Sequence, residues 1–366
     1  MKIISVVGAR PNFMKVAPLS KAFAAYTEVD HKIVHTGQHY DYSMNKLFFE
    51  QLGIPEPFVH LNVGSSSHAT QTAQIMIQFE EILIEERPTA VLVVGDVNST
   101  LACSLVASKM QIPVVHVEAG LRSRDRSMPE ELNRIATDHL SDLLFVSEES
   151  GIENLKKEGI PDEKVFFVGN VMIDSLVSNM EKSNALNLDS ISSGIKSKNY
   201  GLVTLHRPSN VDNKERLLRI VELLRSVAKD HNLVFPMHPR TKNNLVKMDL
   251  SQEVSAIDKL TILEPQGYFE FLKLMNESNF LITDSGGIQE ETSYLNIPCI
   301  TIRDNTERPI TCSIGTNSLI PFDKIDTVEK VLSFKLKEKN SRNPEIPLWD
   351  GKASERIVKE LVNFFS

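Results

Sequence analysis

Residues 90–96 read Ala90-Val91-Leu92-Val93-Val94-Gly95-Asp96, and residues 112–118 read Ile112-Pro113-Val114-Val115-His116-Val117-Glu118. Neither run alternates apolar and polar residues, as a strand with one wet face would. Short continuous apolar runs rich in valine are what strands need when both faces are covered, the situation of a parallel sheet. Each run ends in a carboxylate. A charge at the end of a buried strand is expensive to keep idle, which makes Asp96 and Glu118 candidates for chemistry.

The same reading extends outward. Ile3 to Val7, Lys32 to His35, Leu143 to Val146 and Val165 to Val168 are further strand candidates, separated by helical patterns such as Ala69–Glu86 and Glu148–Lys157, the latter after a possible Ser147 N-cap. The pattern lapses across the Ser-, Asn- and Lys-rich stretch 182–198. It resumes with Gly201 to Leu205, Leu233 to Pro236, Leu260 to Leu263, Phe280 to Thr283 and Cys299 to Ile302. Alternating β and α units predict doubly wound α/β domains, and 366 residues exceed one ordinary core. We read two similar domains, 1–169 and 170–350, with an amphipathic helix in 351–366. Ligands of such sheets sit at the carboxyl ends of strands, so the functional loops of both domains are expected to face a shared central cleft.

Composition narrows the function classes. The chain is 41% hydrophobic and 24% charged with a net charge of −8, which fits a soluble protein and argues against a nucleic-acid binder. No apolar stretch approaches bilayer length, and the N-terminal run is too short for a signal sequence, so no membrane partner and a cytoplasmic location are expected. Three cysteines without a C-x-x-C pair give neither a disulfide framework nor a zinc site. No H-E-x-x-H, P-loop or G-x-S-x-G motif is present, and His116 with Glu118 lacks a third close ligand; no metal is expected.

Other candidates also follow strands. Gly8-Ala9-Arg10-Pro11, with Lys15 further on, places cations where a helix N-terminus would attract an anion; an ordinary β–α turn would look the same. Asp284-Ser285-Gly286-Gly287 opens another helix with small residues that let a diphosphate approach, and Glu291 lies one turn beyond, in reach of ribose hydroxyls. A well-capped helix explains that spacing equally well. Arg303-Asp304-Asn305-Thr306-Glu307-Arg308-Pro309 reads more readily as a solvated loop than as a phosphate clamp. His206-Arg207 and His238 with Arg240 follow neighbouring strands and would complement a diphosphate. Glu130, in Pro129-Glu130-Glu131-Leu132-Asn133-Arg134, is either a reactive acid or a first-turn acid paired with Arg134 at i+4.

Taken in order, Gly8-Ala9-Arg10-Pro11 with Lys15, Gly37-Gln38-His39, Gly95-Asp96, His116-Val117-Glu118-Ala119-Gly120-Leu121-Arg122, Pro129-Glu130-Glu131 with Asn133-Arg134, Gly169-Asn170 with Asp174, Thr283 to Glu291, Thr306-Glu307-Arg308-Pro309 and Asp350-Gly351 resemble the non-hydrolysing UDP-N-acetylglucosamine 2-epimerases from end to end. The resemblance implies a GT-B-like pair of Rossmann-type domains, a homodimer, no metal or nicotinamide cofactor, and a UDP-N-acetylhexosamine substrate for polysaccharide biosynthesis. It implies Asp96, Glu118, Glu130 and His206 as catalytic residues. It further implies Arg10, Lys15, Phe271, Ser285, Gly286, Gly287, Glu291 and Arg308 as substrate-binding residues. Asp96 and Glu130 are expected to transfer protons, with Glu118 in support or as a relay. The implied reaction is reversible C2 epimerisation through elimination of UDP to 2-acetamidoglucal and re-addition. The chain departs from many bacterial relatives at His206-Arg207-Pro208-Ser209-Asn210, where they carry His-Arg-Arg-Glu-Asn; the missing Arg and Glu argue against carrying over allosteric activation by UDP-N-acetylglucosamine. An epimerase of a modified UDP-N-acetylhexosamine and a GT-B UDP-sugar glycosyltransferase are the alternatives.

Overall fold

The structure is a computed structural model that describes residues 1–37, 52–338 and 345–366. Gln38 and His39 therefore lie outside the described residues. By internal contacts the chain forms two compact units, Met1–Ser178 with Pro347–Ser366, and Asn179–Ile346.

The first unit holds a wholly parallel sheet of seven strands in the order β3-β2-β1-β4-β5-β6-β7. These are β1 Lys2–Val7, β2 Asp30–His35, β3 Val59–His60, β4 Ala90–Val94, β5 Val114–Ala119, β6 Leu143–Val146 and β7 Val165–Phe167. One face buries Phe13, Val16 and Leu19 against Ile357, Val358 and Leu361; the other buries Ile75, Phe79, Cys103 and Val106. Each such fully buried side chain is worth about 1.5–3 kcal/mol, which explains why β4 and β5 read as unbroken apolar runs.

The boundary falls later than Gly169–Asn170 because the helix Val171–Asn184 begins as part of this unit. Val171 is in its core, and Ser175 Oγ donates to the Met14 carbonyl. The C-terminal segment returns to the same unit. Trp349 Nε1 donates to the Ser147 carbonyl at 2.9 Å, and Asp174 accepts from the Ala353 and Ser354 amides at 3.0 and 2.6 Å, capping the last helix, Ala353–Phe365. Gly169 (φ +88°) is required there, since a Cβ would lie 2.0 Å from the Leu348 carbonyl oxygen.

The second unit repeats the design with six parallel strands in the order β10-β9-β8-β11-β12-β13. They are β8 Gly201–Thr204, β9 Leu233–Pro236, β10 Leu260–Leu263, β11 Phe280–Thr283, β12 Cys299–Ile302 and β13 Asn317–Ile320. Val203, Phe235, Ile282 and Ile300 lie in its core with Leu217, Ile220 and Leu224 of the helix Lys214–Val227.

Strand order reverses between β1 and β4 in the first unit and between β8 and β11 in the second. Chains leaving adjacent strands diverge at such a point, opening a crevice at the carboxyl ends. The segments that emerge there are Gly8 onward, Gly95-Asp96, His206 onward and Asp284-Ser285-Gly286. No helix among the described residues is long and apolar enough to cross a membrane.

Candidate active site

In the first unit, the end of β5 is bent. Its pairing with β6 shifts register between Val117 and Ala119, and the residue displaced is Glu118, held at φ +72°. A side chain in the left-handed region costs about 1–2 kcal/mol, and such strain persists only where the surroundings over-determine it. Glu118 is 5% exposed and forms an ion pair with Lys15, itself 6% exposed. Gly95 makes room for the pair: it sits at φ +68°, and a Cβ would lie 2.9 Å from Lys15 Nζ and 3.6 Å from Glu118 Oε2.

Asp96 is half-buried and accepts from Arg134 Nη2 and Nε at 2.6 and 3.1 Å. Arg134, from the helix Pro129–Leu140, also pairs with Glu131, which accepts the Ser123 and Arg124 amides at 2.9 and 2.8 Å. The i+4 pairing of Glu130 with Arg134 is therefore not made. Glu130 is exposed, and Arg134 is drawn instead to the buried Glu131 and to Asp96.

Behind these acids runs a buried charge network. His116 faces the Gly95 carbonyl with Nε2 at 2.8 Å and Asp138 with Nδ1 at 2.6 Å. Asp138 also accepts the Gly120 amide at 3.1 Å and pairs with Arg122 at 2.7 Å. Burial pushes the Asp138 carboxyl up, but His116 and Arg122 outweigh it and hold it below its ordinary value. The network ties the carboxyl ends of β4 and β5 to one helix, fixing where Asp96 and Glu118 leave the sheet.

In the second unit, His206 follows β8 and sets Nδ1 3.1 Å from Asp284 Oδ1. Asp284 is fully buried and accepts the amides of His206 and Arg207 at 3.0 and 2.9 Å, together with Asn210 Nδ2 at 3.1 Å. Its desolvation favours the neutral acid, yet His206 and the amides hold its carboxyl below the usual value. The His238 ring lies 5.3 Å from that of His206. Arg240 is committed elsewhere, to Asp212 at 2.6 Å.

Beyond Asp284, Ser285 precedes the helix Gly286–Tyr294 and makes no side-chain cap. The first-turn amides of Gly286 and Gly287 thus remain for an anion. The following loop closes on that turn. Arg303, Glu307 and Arg308 are all buried, so the segment is not the solvated loop its sequence suggests. Arg308 lies 2.8 Å from Glu290 and 3.2 Å from Glu307, and a Cβ on Gly286 would sit 3.1 Å from Arg308 Nη1. Glu291 lies beneath, 3.3 Å from the Tyr268 hydroxyl. Burial above all, with adjacent Glu290 adding to it against the Tyr268 hydrogen bond, pushes Glu291 up to about 8. At neutral pH it is mostly a neutral acid, a donor as well as an acceptor. Phe271 is half-buried in the helix Tyr268–Asn276. Among the described residues no three His, Cys, Asp or Glu side chains gather as a metal site would require.

Residues 21–362 match the family model described as UDP-N-acetylglucosamine 2-epimerase. The chain belongs to this family. A UDP-N-acetylglucosamine 2-epimerase of Methanocaldococcus jannaschii is 44% identical over 365 residues, 99% of either chain. The UDP-2,3-diacetamido-2,3-dideoxy-D-glucuronate 2-epimerase of Pseudomonas aeruginosa is 41% identical over 324 residues, 87% of this chain and 88% of its own. A crystal structure of the M. jannaschii UDP-GlcNAc 2-epimerase in complex with UDP-GlcNAc and UDP matches at a TM-score of 0.90 and 43% identity, covering 99% of this chain and 100% of that one.

Within this epimerase-family chain, the structure gathers Lys15, Glu118 and Gly95 in one cluster with Asp96 next in sequence. It gathers Gly286, Glu290, Arg303, Glu307 and Arg308 in another. Arg10 opens the helix Arg10–Phe23. Sequence reasoning passed over Asp138 and Tyr268, gave Arg134 a different partner, Glu130, and read the Arg303 segment as a solvated loop, although the i+4 spacing of Arg303 and Glu307 was in view.

Proposed function

We propose that the protein interconverts UDP-N-acetylglucosamine and UDP-N-acetylmannosamine. A carboxylate removes the C2 proton as the C1–O bond to UDP breaks and a C1=C2 double bond forms. UDP then re-adds to the 2-acetamidoglucal while C2 is protonated on the opposite face. The observation that carries this reading is Glu118: a buried, strained carboxylate matched to Lys15 beside Asp96. Such a group has no structural need to be where it is.

The C2–H bond is not activated by a ketone, so a base alone achieves little. Charge developing on the departing diphosphate must be met, and a single well-placed donor to such charge is worth about 3–4 kcal/mol. The second unit supplies donors of that kind in the Gly286 and Gly287 amides and Arg308, with Ser285, Glu291 and Phe271 completing the nucleotide site. His206, steadied by Asp284, assists departure; Arg10 and Lys15 serve the substrate from the first unit. Asp96 and Glu130 exchange the proton, and Glu118 supports or relays it. The same reading carries a cytoplasmic homodimer acting in polysaccharide biosynthesis.

Proton NMR with UDP-N-acetylglucosamine in D2O tests this directly. Deuterium should enter C2 without any acceptor sugar, and Asp96→Asn, still folded, should slow exchange by at least about a hundredfold. No exchange by the wild type, with sugar transfer to an added acceptor, would instead place it among glycosyltransferases. The P. aeruginosa relative's name favours one second reading, a modified UDP-N-acetylhexosamine as substrate; the same exchange measured on the 2,3-diacetamido uronate decides between them.

A further inference from the structure

Arg303 is 7% exposed and makes its visible bonds with one side of its guanidinium. Nη2 donates to Glu307 Oε2 at 2.9 Å and reaches Asn305 Oδ1 at 3.3 Å. The other amino group, Nη1, is buried and has no hydrogen-bond partner among the described residues. It is directed at the start of the helix Gly286–Tyr294: a Cβ on Gly286 would lie 3.7 Å away from it. A buried guanidinium N–H left unsatisfied is costly, and such groups are rare in folded proteins. The neighbourhood compounds the cost. Burial, together with Arg207 and Arg308, disfavours the charge on Arg303, and Glu307 opposes them. Crowded cations, free first-turn amides and a donor aimed between them lack only an anion.

We propose that Arg303 is a substrate-binding and catalytic residue whose Nη1 donates to a phosphate oxygen of the nucleoside diphosphate at the Gly286 helix terminus. This rests on the nucleotide-binding part of the function proposed above and adds to it a residue that motif and spacing left in a loop. Glu307 holds the guanidinium in register through Nη2, so that Nη1 arrives pre-oriented. A lysine lacks the planar fork that holds two amino groups apart, so it cannot reproduce both bonds in the arginine's geometry. As UDP departs, charge grows on the oxygen that Nη1 faces, so the bond strengthens during the reaction.

Arg303→Lys is the informative variant, because it keeps a cation for Glu307. Isothermal titration with UDP and with uridine should show UDP binding about ten- to a hundredfold weaker than in the wild type, from one lost charge-assisted bond. Uridine binding should stay within about twofold, and kcat should fall as well as affinity. Equal affinity of variant and wild type for UDP would overturn the assignment, as would a parallel loss for uridine, which lacks the diphosphate. Arg303→Gln, which keeps a donor toward Glu307, guards against misfolding; loss of cooperative unfolding in both variants would make Arg303 structural and overturn the proposal. A wild type that binds UDP yet exchanges no deuterium refutes the epimerase reading and leaves the Arg303 comparison intact.

Discussion

If Glu118 is kept in a strained, buried position for chemistry, the fold should tolerate its loss once its partner goes too. Glu118→Gly removes one member of an ion pair whose side chains are 5% and 7% exposed. Stranding a buried lysine typically costs about 3–5 kcal/mol. Glycine at φ +72° recovers about 1 kcal/mol of backbone strain. The single variant should therefore be destabilised by roughly 2–4 kcal/mol. Lys15→Met with Glu118→Gly removes both charges and the strain, and should return to within about 1 kcal/mol of the wild type or exceed it. Lys15→Met with Glu118→Gln keeps the strain and should fall about 1 kcal/mol below that double variant. All three should be inactive. Trp349 is the sole tryptophan of the chain; it is 5% exposed and belongs to the same unit as Lys15 and Glu118. Urea unfolding followed by its fluorescence reports that unit, and at about 2–3 kcal/mol per molar the single variant's midpoint should drop by about 1 M. Two outcomes would refute the reasoning: a Lys15→Met/Glu118→Gly protein as unstable as Glu118→Gly alone, or equal stability of the two double variants.

The raised pKa of Glu291 makes a second, signed prediction. A carboxyl moved from 4.5 to about 8 on folding stabilises the second unit fully below pH 4.5 and loses that contribution as pH rises through 8, a span worth roughly 4–5 kcal/mol. The stability of the wild type relative to Glu291→Gln should fall steadily between pH 5 and 8 in thermal melts followed by circular dichroism; parallel curves would show that the group ionises normally. Asp174 caps the last helix through two amides. Asp174→Ala should cost about 1–2 kcal/mol in the Trp349 urea transition, and a change under about 0.3 kcal/mol would deny it that role.

Most of the scaffold was legible because parallel strands buried on both faces write themselves as unbroken apolar runs. Ala90 to Val94 and Phe280 to Thr283 appear where their valines and isoleucines suggest. The strands that escaped lack that signature. Val59–His60 has two residues, and Asn317–Ile320 is half polar because its Asn317 is buried against Thr301 through a 2.7 Å hydrogen bond. At the site, residue identity pointed to the carboxylates at strand ends but not to their partners. Arg134 looked committed to Glu130 by helical spacing, and only the tertiary pull of Asp96 and buried Glu131 redirects it. A backbone angle such as that of Glu118 leaves no trace in composition. The Arg303–Glu307 spacing is that of any exposed ion pair; its burial depends on how the loop folds over the Gly286 turn.

The charge distribution also limits what each unit can do alone. In the first, the carboxylates are met by cations from within: Glu118 by Lys15, Asp96 and Glu131 by Arg134, Asp138 by Arg122. In the proposed function these acids move a proton, and of the cations paired with them only Lys15 is assigned to the substrate. In the second, helix amides and a crowded arginine cluster await negative charge, yet the acids beside them are locked to arginine or, in Glu291, held neutral. That surface can take an anion but offers no free base. An elimination across an unactivated C–H bond needs both at once, since neither the carbanion nor the departed ion is accessible alone. Each unit by itself therefore carries only one of the two kinds of group that the proposed elimination calls for.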